Sequence, residues 1–219
     1  MPSLTDLATF LFVVAVIALL AAYALGIERN IRKGNNAMRW MRDGLALIGD
    51  KTTLQWLGSS VAQMKIAKAK DPFRNAELLI VLEPRDVPFM WLLTRRQGRR
   101  DVIIFRAQLR AAPNFDLEAA LPNAWDTGKS PLPDGKFTAI DGALANSMRA
   151  DARGNVTRET VNALINCGGQ GGIALVRLSV RRTVPNLEVH YRLPKENFNA
   201  APKFFQNLRA LSEMILGLS

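Results

Sequence analysis

Residues 7–27 read LATFLFVVAVIALLAAYALGI, a run that contains no charged residue and no proline. A helix rises about 1.5 Å per residue, so roughly 20 apolar residues cross the ~30 Å hydrocarbon core of a bilayer. The run therefore predicts a transmembrane helix. It assigns residues 1–27 to an N-terminal tail and membrane span, and it places the rest of the chain beside a membrane.

A cleaved signal peptide is the alternative interpretation of this run. Signal peptides begin with a basic region and have an apolar core of about 7–15 residues. The tail MPSLTD has no Lys or Arg and the apolar run is longer than such a core, which favours a retained anchor. Ala22-Tyr23-Ala24 fits the small-residue pattern of a cleavage site, so cleavage stays open as an alternative.

Basic residues flank only the C-terminal side of the span. Because basic flanks stay on the cytoplasmic side, the sequence predicts a single-pass protein of the cell membrane, with its N-terminus outside and its C-terminal domain in the cytoplasm. The single cysteine, Cys167, allows no intrachain disulfide, which fits a reducing compartment. The flanking basic residues are Arg29, Arg32, Lys33, Arg39 and Arg42.

Residues 28–58 are predicted to be a basic juxtamembrane segment. Apolar side chains recur at helical spacing over residues 28–50, which indicates an amphipathic helix along the membrane interface. Three glycines in this stretch each cost up to about 1 kcal/mol in a helix interior, so a linker is an equal alternative. Within the span, Ala18, Ala22 and Gly26 recur every four residues. That spacing suits packing against another membrane helix, although alanine is also simply common in apolar helices.

Residues 59–219 are predicted to form one soluble α+β domain with an antiparallel or mixed sheet, short helices and a C-terminal amphipathic helix. Apolar runs and alternation predict the strands, while caps, prolines and terminal glycines predict the helices. The last two strands form a hairpin with one face on the core and one face in water. The predicted strands are 62–67, 77–83, 102–109, 115–118, 137–140, 174–181 and 187–193. The predicted helices are 86–98, capped by Asp86, with a hairpin over 87–110 as its alternative, and 141–149, 157–168 and 202–216.

The net charge of +10 is concentrated in the half of the chain nearest the span. Attraction to an anionic leaflet explains this excess without a further partner, at about 1 kcal/mol per basic residue. The densest cluster comprises Arg95, Arg96, Arg99 and Arg100. It suits a lipid headgroup or an acidic protein surface, and solvated cations at a helix end are an equal alternative. Nucleic acid is an unfavoured partner, because no zinc-finger, basic-zipper or aromatic RNA-binding pattern is present.

Residues with chemical potential are few. His190 is the only histidine and is expected on the solvated face of its strand, while Cys167 is expected to be a small buried hydrophobe. Asp116 and Glu118 share a face of their strand and are expected at a solvated edge. The glycines of residues 168–172 follow a helix and precede a strand, which is the reverse of a phosphate-binding loop. We therefore predict no catalytic residue, no metal site and no cofactor.

These observations favour a non-catalytic function. The chain is interpreted as a membrane-anchored scaffold or accessory subunit whose basic domain contacts anionic lipid, another membrane protein, or both. One alternative is a membrane-tethered enzyme for a lipid-linked or phosphorylated substrate, which would need His190, Cys167 or the Asp116/Glu118 pair in one cleft. A membrane-held nucleic-acid binder is a third hypothesis.

Overall fold

A computed structural model describes residues 4–122, 137–142, 144–194 and 201–218. These residues form an α+β fold with four α-helices and a nine-stranded antiparallel sheet. The helices are α1 (Leu4–Leu45), α2 (Pro88–Arg96), α3 (Arg158–Gly169) and α4 (Ala201–Gly217). The strands are β1 (Gly49–Trp56), β2 (Val61–Ala69), β3 (Phe73–Val81), β4 (Val102–Leu109), β5 (Asp116–Ala120), β6 (Thr138–Ala139), β7 (Arg149–Arg153), β8 (Leu175–Val180) and β9 (Leu187–Arg192). Their order across the sheet is β1-β2-β3-β4-β9-β8-β5-β7-β6.

The hydrophobic core lies between one face of the sheet and helices α1, α3 and α4. Alternate residues of each strand point into it, as Leu78 and Ile80 do in β3 and Val189 and Tyr191 do in β9. The helices contribute an apolar stripe each, and α4 contacts both α1 and α3. The amphipathic C-terminal helix predicted over residues 202–216 is therefore confirmed, with its stripe on the core.

Helix α1 runs for 42 residues without interruption. Its N-terminal half is long and apolar enough to cross a membrane, and only 6% of its most apolar 18-residue window is buried. The C-terminal half packs along the domain, so a helix beyond residue 28 is confirmed as far as Leu45 and the linker alternative is wrong. The predicted interfacial position is also wrong, because the apolar side chains Met38, Met41 and Leu45 pack in the core of the domain. The buried face repeats every three or four residues and comprises Gly26, Asn30, Gly34, Ala37, Met38, Met41, Gly44 and Leu45.

The glycines that weaken the helix prediction are contact points of α1. A Cβ atom at Gly34 would lie 2.4 Å from the Trp56 ring of β1, and one at Gly44 would lie 2.4 Å from the Phe205 ring of α4. A side chain at Gly34 would displace the Trp56 ring, and one at Gly44 would also meet the backbone of Ala201 at 2.9 Å. The close packing of the helix compensates for the lower helix propensity of its glycines.

Most predicted elements are confirmed, with several corrections. The alternative hairpin over residues 87–110 is wrong, because α2 forms there. The predicted cap is also wrong, because Asp86 does not cap α2 and instead accepts a hydrogen bond from Ser59 at 2.6 Å. The helix predicted over 141–149 is wrong, since Gly142 and Asn146 have positive φ angles and only a short 3-10 turn forms before β7. β1 was not predicted at all. Among the described strands every pairing is antiparallel, so the mixed-sheet alternative is also wrong.

The expected wet face of the β8–β9 hairpin is not found. All residues of β8 and all but the last of β9 are buried. Polar side chains on the face away from the core, including Arg177, Glu188 and His190, are compensated by ion pairs rather than by water. Alternation between apolar and polar residues distinguishes the two faces of a strand, but it does not show that the polar face is solvated.

Candidate functional site

The candidate site is the junction at which α1 leaves its apolar run and meets one end of the sheet. A Cβ atom at Gly26 would lie 2.0 Å from the carbonyl oxygen of Arg85 and 2.6 Å from the Cα atom of Asp86. The helix and the β3–α2 loop are therefore in backbone contact at the last turn of the apolar run. The absence of a side chain at Gly26 makes this contact sterically possible.

One turn further along α1, Asn30 is completely buried. Its Nδ2 donates to Ser60 Oγ and to the Glu83 carbonyl oxygen, each at 3.1 Å. Its Oδ1 accepts a hydrogen bond from Arg85 Nη1 at 3.0 Å. Both amide hydrogens and the amide oxygen are thus used, which compensates the cost of burying the polar group.

Asp101, at the start of β4, is the centre of the junction. Its carboxylate accepts two hydrogen bonds from the Arg85 guanidinium, both at 2.9 Å, one from Lys33 Nζ at 2.5 Å and one from the Glu83 amide at 2.7 Å. Burial by itself would raise the pKa of Asp101, but these hydrogen bonds outweigh it and hold the pKa below its usual value. Asp101 is therefore a buried, fully compensated anion that connects α1 to the sheet.

Glu83 extends the same network to α2. Its buried carboxylate accepts hydrogen bonds from the Trp91 indole and from Arg95 Nη1, the latter at 3.1 Å. The Arg95 guanidinium also lies over the Trp91 ring, 5.5 Å from its centroid. Helix α1, the β3–α2 loop, α2 and the start of β4 are consequently joined by one set of charge-assisted hydrogen bonds.

The basic residues singled out in the sequence divide into two groups. Lys33 and Arg95 are part of the junction, bound to Asp101 and Glu83. Arg99 is partly buried, and this burial lowers its pKa. Arg32 pairs with Glu28, and Arg100 donates to carbonyl oxygens of its own loop. The exposed basic side chains of α1 and α2 outside the junction are Arg29, Arg32, Arg39, Arg42 and Arg96.

The burial of the small residues of the span increases along α1. Ala18 is exposed, Ala22 is half-buried and Gly26 is buried against the β3–α2 loop. The buried stripe then continues with Asn30 and Gly34 at the same spacing of four residues. This continuation is the signal from which Asn30 could have been found, because a polar residue on a small-residue stripe needs a buried partner. Glu83, Arg85 and Asp101 had no comparable signal, since their partners are distant in sequence.

The residues required by the enzyme hypothesis are divided between the two faces of the sheet, because His190 and Glu118 share the face away from the core and Cys167 lies on the other. Cys167 belongs to the core on the helical face of the sheet, where burial raises the pKa of its thiol. His190 points from β9 to the opposite face, is buried, and lies 2.7 Å from Glu188 Oε1. The prediction that Cys167 is a small buried hydrophobe is confirmed. The prediction that His190 lies on a solvated face is wrong.

Asp116 and Glu118 share a face of β5, as predicted, but not at a solvated edge. β5 lies between β8 and β7, so both of its edges are paired. Asp116 binds Arg153 at 2.7 Å, and Glu118 binds both Arg177 and Arg181. Each carboxylate is therefore neutralised by arginine, which is the pattern of a structural ion pair rather than of an acid–base pair.

Glu188 provides a prediction for the pH dependence of stability. Burial would raise its pKa, but His190 and Arg106 outweigh burial and lower it from its ordinary 4.5 to about 2. A lowered carboxylate pKa stabilises the fold above about pH 4.5, and that stabilisation is lost as the pH falls towards 2. Glu188→Gln should thus lower the free energy of unfolding by about 2–3 kcal/mol at pH 7.

Urea denaturation of the full chain in a mild detergent, at neutral and at acidic pH, measures this effect. The difference in the free energy of unfolding between Glu188→Gln and the wild type should become smaller as the pH approaches about 2.5. Glu213→Gln is the control, because Glu213 pairs with Arg110 at the surface and should change stability by less than about 1 kcal/mol. A gap that is the same at both pH values would contradict the prediction.

The fold and the junction define a class: an α+β domain fixed to one long N-terminal helix that is a candidate membrane span. No protein-family profile matches the chain. No curated protein matches its sequence. Among solved structures, the mycobacterial trehalose monomycolate transport factor A, TtfA, is similar over 85% of this chain and 96% of that chain, with a TM-score of 0.40 and 7% identity. A likeness of this degree defines neither a family nor a function.

Proposed function

We propose that this chain is a single-pass, non-catalytic accessory or scaffold protein of the cell membrane, with its domain in the cytoplasm. The observation that carries the proposal is the junction. Helix α1 continues from the apolar run into the domain, and Asn30 and Lys33 fix it there by buried hydrogen bonds. Such a junction suits a protein that holds a domain in a set position relative to a membrane.

The exposed basic residues support a contact between the domain and anionic lipid. Arg29 and Arg32 lie within two turns of the end of the apolar run, and Arg96 ends α2. Each basic residue close to an anionic leaflet adds about 1 kcal/mol of attraction, which decays over a Debye length. These residues need no rearrangement to reach the surface, because their side chains are already exposed.

The exposed part of the small-residue stripe supports a second contact, with another membrane protein. Ala18 is exposed and Ala22 is half-buried, and both precede the point at which the domain covers α1, so the span is open to a neighbouring helix at Ala18. Small residues four apart allow the backbones of two membrane helices to approach closely. The accessory role therefore predicts a partner that itself spans the membrane.

Copurification tests the proposal. The full chain, extracted in a mild detergent, should bring down a stoichiometric membrane protein, and Ala18→Leu with Ala22→Leu should reduce its recovery about tenfold. Ala24→Leu is the matched control, since this exposed alanine lies on the other side of the helix from Ala18 and Ala22. A clean monomer would count against the accessory role. Equal recovery of the partner with the double variant and with the control would place the partner elsewhere than on the stripe.

A further inference from the structure

Helix α2 presents its apolar side chains away from the domain. Phe89, Leu92, Leu93 and Arg96 fall at the spacing i, i+3, i+4, i+7 and share one face, and Phe89 is 77% exposed. The side that faces the domain carries Trp91, bonded to Glu83, and the buried Thr94. A surface helix of a soluble protein places its apolar stripe on the core, so the orientation of α2 is reversed.

The position of α2 explains this reversal. Arg85 and Asp86, which precede α2, are in backbone contact with Gly26 at the end of the apolar run. Asp86 also binds Ser59 in the β1–β2 turn, where Leu57 is exposed too. The start of α2 therefore lies beside the last turn of the apolar run, at the level where the candidate span would leave the hydrocarbon.

The charges that follow the apolar face of α2 are basic. Arg95 and Arg96 occupy its last turn, and Arg99 and Arg100 follow in the loop to β4. Of the three acidic groups of this region, Glu83 and Asp101 are buried and bound to cations, and Asp86, before the helix, accepts a hydrogen bond from Ser59. An apolar helical face bordered by arginines is the pattern of a helix that lies in the interface of an anionic membrane.

We infer that α2 is a membrane-interfacial helix. Phe89, Leu92 and Leu93 enter the boundary between headgroups and acyl chains of the cytoplasmic leaflet, while Arg96 and Arg99 contact anionic headgroups. The inference rests on the proposed function, because it requires that α1 is a retained span. It adds a second membrane attachment, so that the domain is held at two points and cannot rotate about the axis of α1.

The depth of α2 can be measured in the full chain with one labelled cysteine at a time. In a Cys167→Ala background, Phe89→Cys reports on α2, Tyr23→Cys on the span, and Met214→Cys on an exposed position of α4. Met214 is the matched control, because its neighbour Glu213 binds Arg110, at the end of β4 opposite to Asp101. Each variant carries a polarity-sensitive fluorophore and is reconstituted into phosphatidylcholine–phosphatidylglycerol vesicles that contain nitroxide-labelled lipid.

Quenching by the labelled lipid is expected at positions 23 and 89, with a loss of about half of the fluorescence at position 89, and none at position 214. Pure phosphatidylcholine vesicles should reduce the quenching at position 89 but not at position 23, because only the former depends on headgroup charge. Quenching at 23 without quenching at 89 would overturn the interfacial helix, point to a protein as the occupant of this face, and leave the anchor intact. Absence of quenching at 23 would overturn the anchor itself and with it both proposals.

Discussion

Asp101→Ala should lower the free energy of unfolding by about 3–5 kcal/mol, the loss typical of removing one partner from a buried ion pair. The variant leaves the Arg85 guanidinium without its bidentate acceptor and Lys33 without its partner on the sheet. It also deprives the buried Glu83 amide of its hydrogen bond. Urea denaturation of the full chain in detergent, followed by tryptophan fluorescence, measures the change.

Asp71→Ala is the control for this experiment. Asp71 also binds an arginine, Arg110, at 2.5 Å, but both side chains are about half exposed. Exposed ion pairs contribute roughly 0–1 kcal/mol, so this variant should unfold close to the wild type. Equal losses for the two aspartates would show that the junction at Asp101 is no more important for stability than a surface pair.

Phe204→Ala should cost a similar 3–5 kcal/mol, as large-to-small changes of buried aromatic residues do. Phe204 is completely buried, and its ring centroid lies 5.8 Å from that of Trp40 in α1 and 5.0 Å from that of Tyr191 in β9. The substitution removes the ring that joins α4 to both α1 and the sheet. The same denaturation assay measures the loss of stability, and the Trp40 side chain should become more accessible to fluorescence quenchers.

Met214→Ala is the matched variant on the same helix. Met214 faces outward on α4 and is 37% exposed, so its truncation leaves no cavity in the core and should change stability by less than about 1 kcal/mol. A loss at Met214 as large as that at Phe204 would contradict the prediction, because alanine is a better helix former than methionine and the truncation of an exposed side chain leaves no cavity. A loss confined to Phe204 would show that tertiary packing holds α1 against the sheet.

The fold was predictable where a single segment carries its own signal. The apolar alternation of β2, the four consecutive apolar residues that begin β4 and the Thr157 cap of α3 are local patterns, and each element formed where it was expected. β1 was missed because six of its eight residues are exposed, so its sequence shows no apolar face. Its strand conformation comes from pairing with β2, which is a tertiary effect.

The candidate site was predictable only in part. Lys33 and Arg95 were identified as candidate residues because each belongs to a local cluster of basic residues. The acidic side chains that hold them are far away in sequence: Asp101 lies 68 residues from Lys33. Single-sequence periodicity contains no information about such pairs, because it reports which face a residue occupies and not which element will cover that face.

The uninterrupted course of α1 has a mechanical consequence. At 1.5 Å per residue, the 18 residues from Ile27 to Leu45 project about 27 Å beyond the apolar run. Membrane helices tilt by about 20° on average, and such a tilt displaces the far end of this projection sideways by about 9 Å. If the apolar run spans a membrane, α1 acts as a lever arm, because the helix is uninterrupted between span and domain. A change in the tilt of the span then changes the height and inclination of the sheet above the membrane.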